Sequence, residues 1–371
     1  MVMLSNPGSR FTLAAAFCAA LITVSASPAL AASQAREGIP AANPAALGSQ
    51  PHVVIHDRVL PLRRGARSAA VSDVVPANAF SGSYTANGMK IRIALSPSYP
   101  ADAAEAQSWA DFLASLPQHG DAATMTVYFA PLREMQRACG PDADACYDPN
   151  DSLLILLGET APDGASIEEV AAHEFGHHIA NHRSNAPWSA DSWGPKRWAT
   201  KLYVCQGVRG GTMFPDDQGD NYDRNPTEGW AEAYRVSAGL NPTDWGIVSD
   251  IFRPNAATQQ IALRDATDPW PGASTSTTSG KLLKRGAKST KLRIAVPQDG
   301  RVTVRLTSSK GLNADLELSS SNSGARIGSS RLRGRSDSVT RTLCGQRSVV
   351  ARVTRTSGSG SFKLTASTPA P

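Results

Sequence analysis

Hydrophobic and polar positions along this chain change rhythm several times. From Met89 onward, Lys90-Ile91-Arg92-Ile93-Ala94-Leu95 alternates as a strand does, and Thr124 to Phe129 alternates again. Between them Ala101 to Leu116, set between Pro100 and Pro117, reads as a helix. Leu153 to Leu157 is an unbroken apolar run, the pattern of a strand buried on both faces. A helical period follows, with Val170, Ala172, Phe175 and Ile179 on one side. Ser166, with Glu169 three residues on, forms its capping box. One more helix is expected near Lys196 to Cys205. Another opens with Asn225 as cap and Pro226 at the first position. Strand, helix, strand, strand, helix is the order of an α+β domain with a sheet beside the capped helix.

The rhythm then stops. Residues 268–283, rich in Pro, Gly, Ser and Thr, read as a linker. Beyond it Leu292–Val296, Val302–Leu306, Ala314–Leu318, Ser348–Val353 and Ser361–Thr365 are short alternating runs between Ser/Gly/Asn turns. That pattern predicts a small all-β sandwich over 284–371. At the other end, Arg10, the apolar stretch Phe11 to Val24 and Ala29-Leu30-Ala31 make residues 1–31 a signal peptide. Residues 32–80 carry one β-like patch, Val53-Val54-Ile55, and the dibasic pair Arg63-Arg64; they read as a linker or propeptide-like segment before a domain spanning 81–267.

Composition adds compartment and charge. Forty-one per cent hydrophobic and 19% charged residues describe an ordinary globular protein, and no later run approaches the ~20 apolar residues of a membrane span. A secreted, monomeric protein is expected, and nothing points to nucleic acid. Export permits disulfides, and four cysteines follow the signal peptide. Cys139 and Cys146 bracket a turn-rich loop and are expected to pair, whereas Cys205 and Cys344 either bridge the two domains or stay free. From Lys281 to the end there are 18 Lys and Arg against 4 Asp and Glu, leaving 19 against 28 for the rest. So basic a C-terminal domain suits an anionic surface such as a cell-wall polymer, or simply a solvated face.

The chemistry concentrates in His173-Glu174-Phe175-Gly176-His177. Histidines four apart on a helix face one way, about one turn apart, so both can reach one metal ion. Glu174 between them can reach a metal-bound water without ligating, which is the general base of a zinc hydrolase. The third ligand has several candidates. A metzincin would need Gly at 180 and His at 183, where this chain has Ala180 and Arg183, with His182 one position early. Asp191 lacks a supporting signature. Glu228, early in the second helix with Glu232 one turn on, is the strongest candidate, although Asn225 and Glu228 also fit a capping box. Trp188, Trp193 and Trp198 read as core packing, with a cleft wall as the alternative.

With those residues in view, the chain resembles the gluzincin zinc peptidases, thermolysin-like enzymes and anthrax lethal factor among them. The resemblance covers the two motif helices. It implies a zincin-like fold, Zn2+ held by His173, His177 and Glu228, Glu174 as catalytic base and Glu232 hydrogen-bonded to a ligand histidine. Glu228-x-x-Ala231-Glu232 is closer to the lethal-factor group, which places a tyrosine shortly before the ligand Glu; Tyr222 is the residue that corresponds. The substrate implied is a protein or peptide. A zinc amidase acting on peptidoglycan, or a wall-binding protein with an inert zinc domain, are the competing readings. Ala314–Leu318 and the closing Gly358 to Leu364 resemble bacterial pre-peptidase C-terminal domains, which follow secreted peptidases and are often removed during maturation. The Gly-x-Tyr usual there is absent.

Overall fold

The computed structural model describes residues 38–42, 57–61, 74–160, 165–240 and 248–371. The expected signal peptide, the Val53–Ile55 patch and Arg63-Arg64 lie outside the described residues. What is described is a mixed α+β chain with three sheets.

The first sheet has five strands: β1 (Phe80–Ala86), β2 (Met89–Leu95), β3 (Thr126–Ala130), β4 (Ala145–Asp148) and β5 (Leu153–Leu157), in the order β1-β2-β3-β5-β4. Strands β2, β3 and β5 run parallel, and β1 and β4 are antiparallel edges. Every residue of β3 and β5 is buried, as their apolar runs require. The expected domain start at 81 falls inside β1, a strand that the sequence does not announce. Strand β1 pairs with β2 through Asn87-Gly88, both at positive φ, the two-residue turn that suits twisted hairpins. Its Ser-Gly-Ser opening masked the strand.

Five longer helices are described: α1 (Ala103–Ser115), α2 (Leu132–Cys139) and α3 (Ile167–Asn181) pack on this sheet, α4 (Pro226–Ser237) packs on α3, and α5 (Ala256–Thr267) packs on α4. The Asp102 side chain caps α1, accepting from Ala104 and Glu105 N–H at 2.7 and 3.2 Å. The Ser166/Glu169 capping box of α3 is formed on both sides, each contact at 3.2 Å, and Asn225 Oδ1 accepts from Thr227 N–H at 3.1 Å to start α4. The single helix expected over 196–205 is instead two short ones, Lys196–Lys201 and Val204–Arg209, broken where Tyr203 adopts φ +57°. Trp198 is fully buried, while Trp188 and Trp193 stack on each other at 4.8 Å and stay partly exposed.

The remaining strands, β6 (Ala273–Leu282), β7 (Ser289–Ala295), β8 (Gly300–Ser308), β9 (Leu312–Ser320), β10 (Arg326–Ser330), β11 (Ser336–Leu343), β12 (Ser348–Gly358) and β13 (Gly360–Pro369), form two four-stranded antiparallel sheets, β10-β9-β12-β7 and β11-β8-β13-β6. Strict alternation along β9 puts Leu312, Ala314, Leu316 and Leu318 into a core shared with Val302, Val304, Val353 and Leu364. Most of the expected linker at 268–283 is a strand. Its Ser/Thr tract is β6, an edge strand paired along its length with β13. Only Leu282 is buried, so the strand leaves no apolar rhythm to read, although Thr is well suited to the extended backbone.

The sandwich is fastened to the α/β part. Cys205 and Cys344 form a disulfide, as do Cys139 and Cys146. Lys196, buried between the rings of Trp188 and Trp270, donates to the carbonyls of Asn185, Ala186 and Asp299 at 3.2, 2.7 and 2.9 Å. Burial draws its ammonium down to about 8 against the pull of Asp299 and Asp265. Asp299 also receives Arg347 at 2.6 Å. Among the described residues, no helix is long and apolar enough to cross a membrane.

Candidate metal centre

Helices α3 and α4 pack closely at Gly176. A Cβ there would stand 2.9 Å from Ala231 Cα, so glycine is what lets the two backbones meet. The Gly176 carbonyl accepts from Trp230 Nε1 at 2.8 Å, which fixes the register of one helix on the other. That contact brings His173, His177 and Glu228 to one point, and all three are buried.

A fourth group joins them. Asp57, from the described stretch 57–61, is 116 positions before His173 in sequence and was not among the expected site residues. Asp57 Oδ2 lies 3.4 Å from His173 Nε2 and 3.0 Å from His177 Nε2; Glu228 Oε2 lies 3.5 and 3.1 Å from the same atoms. An ion bonded at about 2.1 Å to four tetrahedral ligands holds adjacent ligand atoms about 3.4 Å apart. The observed spacings fit that value.

Neighbouring side chains engage the outward-facing atoms of the cluster, while inside it His177 Nε2 and Asp57 Oδ2 share a hydrogen bond at 3.0 Å. His173 Nδ1 faces Glu232 Oε2 at 3.2 Å, which turns Nε2 inward. Gln218 donates to Glu228 Oε1 at 2.7 Å and Asn225 to the same oxygen at 3.4 Å, leaving Oε2 for the cluster. His173 Nε2 and both Glu174 oxygens are buried without a hydrogen-bond partner. Orphaned polar atoms of this kind cost free energy unless a cation, water or substrate satisfies them. The side chains present therefore fit a metal ion.

The electrostatics agree. Burial alone lowers the His177 pKa, but the charges of Glu228 and Asp57 outweigh it and carry the imidazole to about 9. Such a field attracts cations. Glu174 is held well above the usual carboxyl range, first by burial and then by the charge of Asp57. Burial likewise holds the Tyr222 phenol well above its ordinary 10, so it remains a donor. Its hydroxyl donates to Asp57 Oδ1 and lies 3.3 Å from Glu228 Oε2.

Glu232 shows how the arrangement is anchored. Burial pushes its carboxyl up, yet Arg235 one turn on overrides this and holds it at about 2. Arg235 Nε donates to Glu232 Oε2 at 2.9 Å, and Nη1 reaches Glu169 of the α3 capping box at 3.3 Å. One guanidinium thus ties both motif helices behind His173. Arg235→Leu is expected to cost about 3–5 kcal/mol in a denaturant titration, because two buried carboxylates lose their partner; a loss below 1 kcal/mol would refute that role. The other ligand candidates lie elsewhere. His182 instead sets its Nδ1 2.9 Å from the His178 carbonyl, Arg183 pairs with Asp121 at 2.7 and 2.8 Å, and the side chain of Asp191 is not part of the metal cluster.

Compared with protein families and with curated proteins, the sequence shows no match. Among solved structures it is similar to the pre-peptidase C-terminal domain of a collagenase from Bacillus anthracis, at 13% identity over 25% of this chain and 88% of that one, TM-score 0.23. The mitogen of Yersinia pseudotuberculosis aligns at 12% identity over 26% of this chain and 86% of that one, TM-score 0.22. The IMPa metallopeptidase in complex with T-antigen aligns at 11% identity over 73% of this chain and 40% of that one, TM-score 0.17. Likenesses at these TM-scores carry no functional inference.

Proposed function

We propose that this chain is a secreted zinc-dependent endopeptidase of the gluzincin kind, with a zincin-like domain and His173, His177 and Glu228 as its zinc ligands. One observation carries the reading: two imidazole nitrogens and a carboxylate oxygen converge within ligand spacing, and beside them Glu174 is buried with both oxygens unpartnered. A scaffold site has no use for such a carboxylate; a hydrolase needs it as its base.

Bound zinc would supply a Lewis acid and lower the pKa of water toward ~7. The chain does the rest. Glu174 takes a proton from the attacking water and passes it to the leaving amine. A cation among the ligands opposes the effects that raise its pKa and favours the ionised form a base requires. Tyr222, protonated and able to donate, is suited to the developing oxyanion. Glu232, kept anionic by Arg235, holds His173 in the tautomer that offers Nε2.

Chelator-reversible hydrolysis of casein tests the reading, and a chelator-treated sample as active as the untreated one refutes it. Running purified peptidoglycan in parallel separates a peptidase from an amidase. The excess of Lys and Arg after residue 281 favours an anionic wall polymer as a second partner; association with peptidoglycan that persists undiminished at high salt argues against that electrostatic attraction.

A further inference from the structure

Four protein ligands around one ion close a metal site, whereas a hydrolytic centre keeps one position for water or substrate. The fourth ligand atom here, Asp57 Oδ2, comes from neither motif helix. Its companion oxygen takes the hydroxyl of Tyr222, so one carboxylate engages both the centre and the proposed oxyanion donor. The residues after Asp57 lie along β4, an edge of the five-stranded sheet. Leu60 N–H donates to the Tyr147 carbonyl at 2.9 Å, and Tyr147 N–H donates to the Arg58 carbonyl at 3.0 Å. An extended peptide docks on a sheet edge by such main-chain bonds. The same stretch lines a cavity of about 620 Å³ together with Asp191, Gln218 and Thr227. Asp57 to Pro61 therefore holds a metal position and a sheet edge that a peptide substrate would use.

We infer that Asp57 is a latency ligand: in the full-length chain its carboxylate fills the open position of the centre, and hydrolysis requires the 57–61 stretch to leave the cleft. This rests on the metallopeptidase reading, and it predicts a site poised but blocked. The rival is a centre built permanently from four ligands.

Full-length protein loaded with Co2+ discriminates between them, because d–d absorption reports exchange at the fourth position whether or not anything is hydrolysed. Wild type, Asp57→Ala and Asp57→Asn are titrated with acetohydroxamate, then assayed on casein. The isosteric Asn variant preserves the shape of the stretch where Ala disturbs folding. Both variants are expected to keep Co2+, to bind the hydroxamate about tenfold or more tighter than wild type, and to hydrolyse casein faster by a similar factor, since wild type is competent only in its open fraction. Loss of Co2+ from both variants, failure of both to fold, or hydroxamate binding no tighter than wild type overturns the proposal and makes Asp57 a structural ligand. Tighter hydroxamate binding without casein hydrolysis upholds the blocked position and refutes the peptidase reading instead.

Discussion

Glu174→Gln is expected to lower peptide hydrolysis by about 10²- to 10⁴-fold while the protein keeps its metal. Gln has the same shape but cannot accept the proton from water or return it to an amine. The ligand set is untouched, because Glu174 lies beside the cluster and not in it. The side chain is wholly buried with no hydrogen-bond partner, so the substitution breaks no existing contact and the fold should persist. Metal content and thermal melting of the variant, measured beside its turnover on casein, separate lost chemistry from lost structure. Activity within threefold of wild type would rule out Glu174 as the base.

Removing the metal should have the second largest effect, on stability. Without a cation, Asp57 and Glu228 face two imidazoles in a site sealed from water, and the buried charges are balanced only by protonating the histidines. Metal present at about 1,000 times its Kd adds about 4 kcal/mol to the folded state by linkage. For a domain of this size that corresponds to a fall in Tm on the order of 10 °C after chelation. His177→Ala should reproduce much of the loss and be insensitive to added zinc. Identical melting curves for chelated and reloaded wild type would show that no ion is held there.

Local signals made much of this centre legible. His173, Glu174 and His177 sit within one turn of a helix whose cap and apolar face are both written nearby, and Glu228 and Glu232 sit on a second capped helix. What joins the helices is the Gly176 contact, which needs only the glycine already inside the motif. Arg235 could have been read as well, three residues beyond Glu232, a spacing that places opposite charges side by side. Asp57 could not: it reaches the histidines across more than a hundred positions, from a stretch with no period. The same physics hid β6 and β1. Both are edge strands stabilised by main-chain bonds: β6 buries only Leu282 and has no apolar rhythm, and β1 alternates only weakly, with Gly82 in the middle of its more buried face and that face mostly half-exposed. Helix α2 leaves no apolar face to read, because it buries only Met135 and Cys139.

The bond between Cys205 and Cys344 changes what trimming of this chain can accomplish. It spans 139 positions and crosses from the α/β part to the sandwich. A protease that cuts between those cysteines severs the backbone yet releases nothing, since both pieces remain covalently one molecule. Shedding of the basic sandwich therefore depends on the redox state of the surroundings as well as on the protease. In an oxidising medium the nicked protein would keep its basic portion, and only a reductant would let the two halves part.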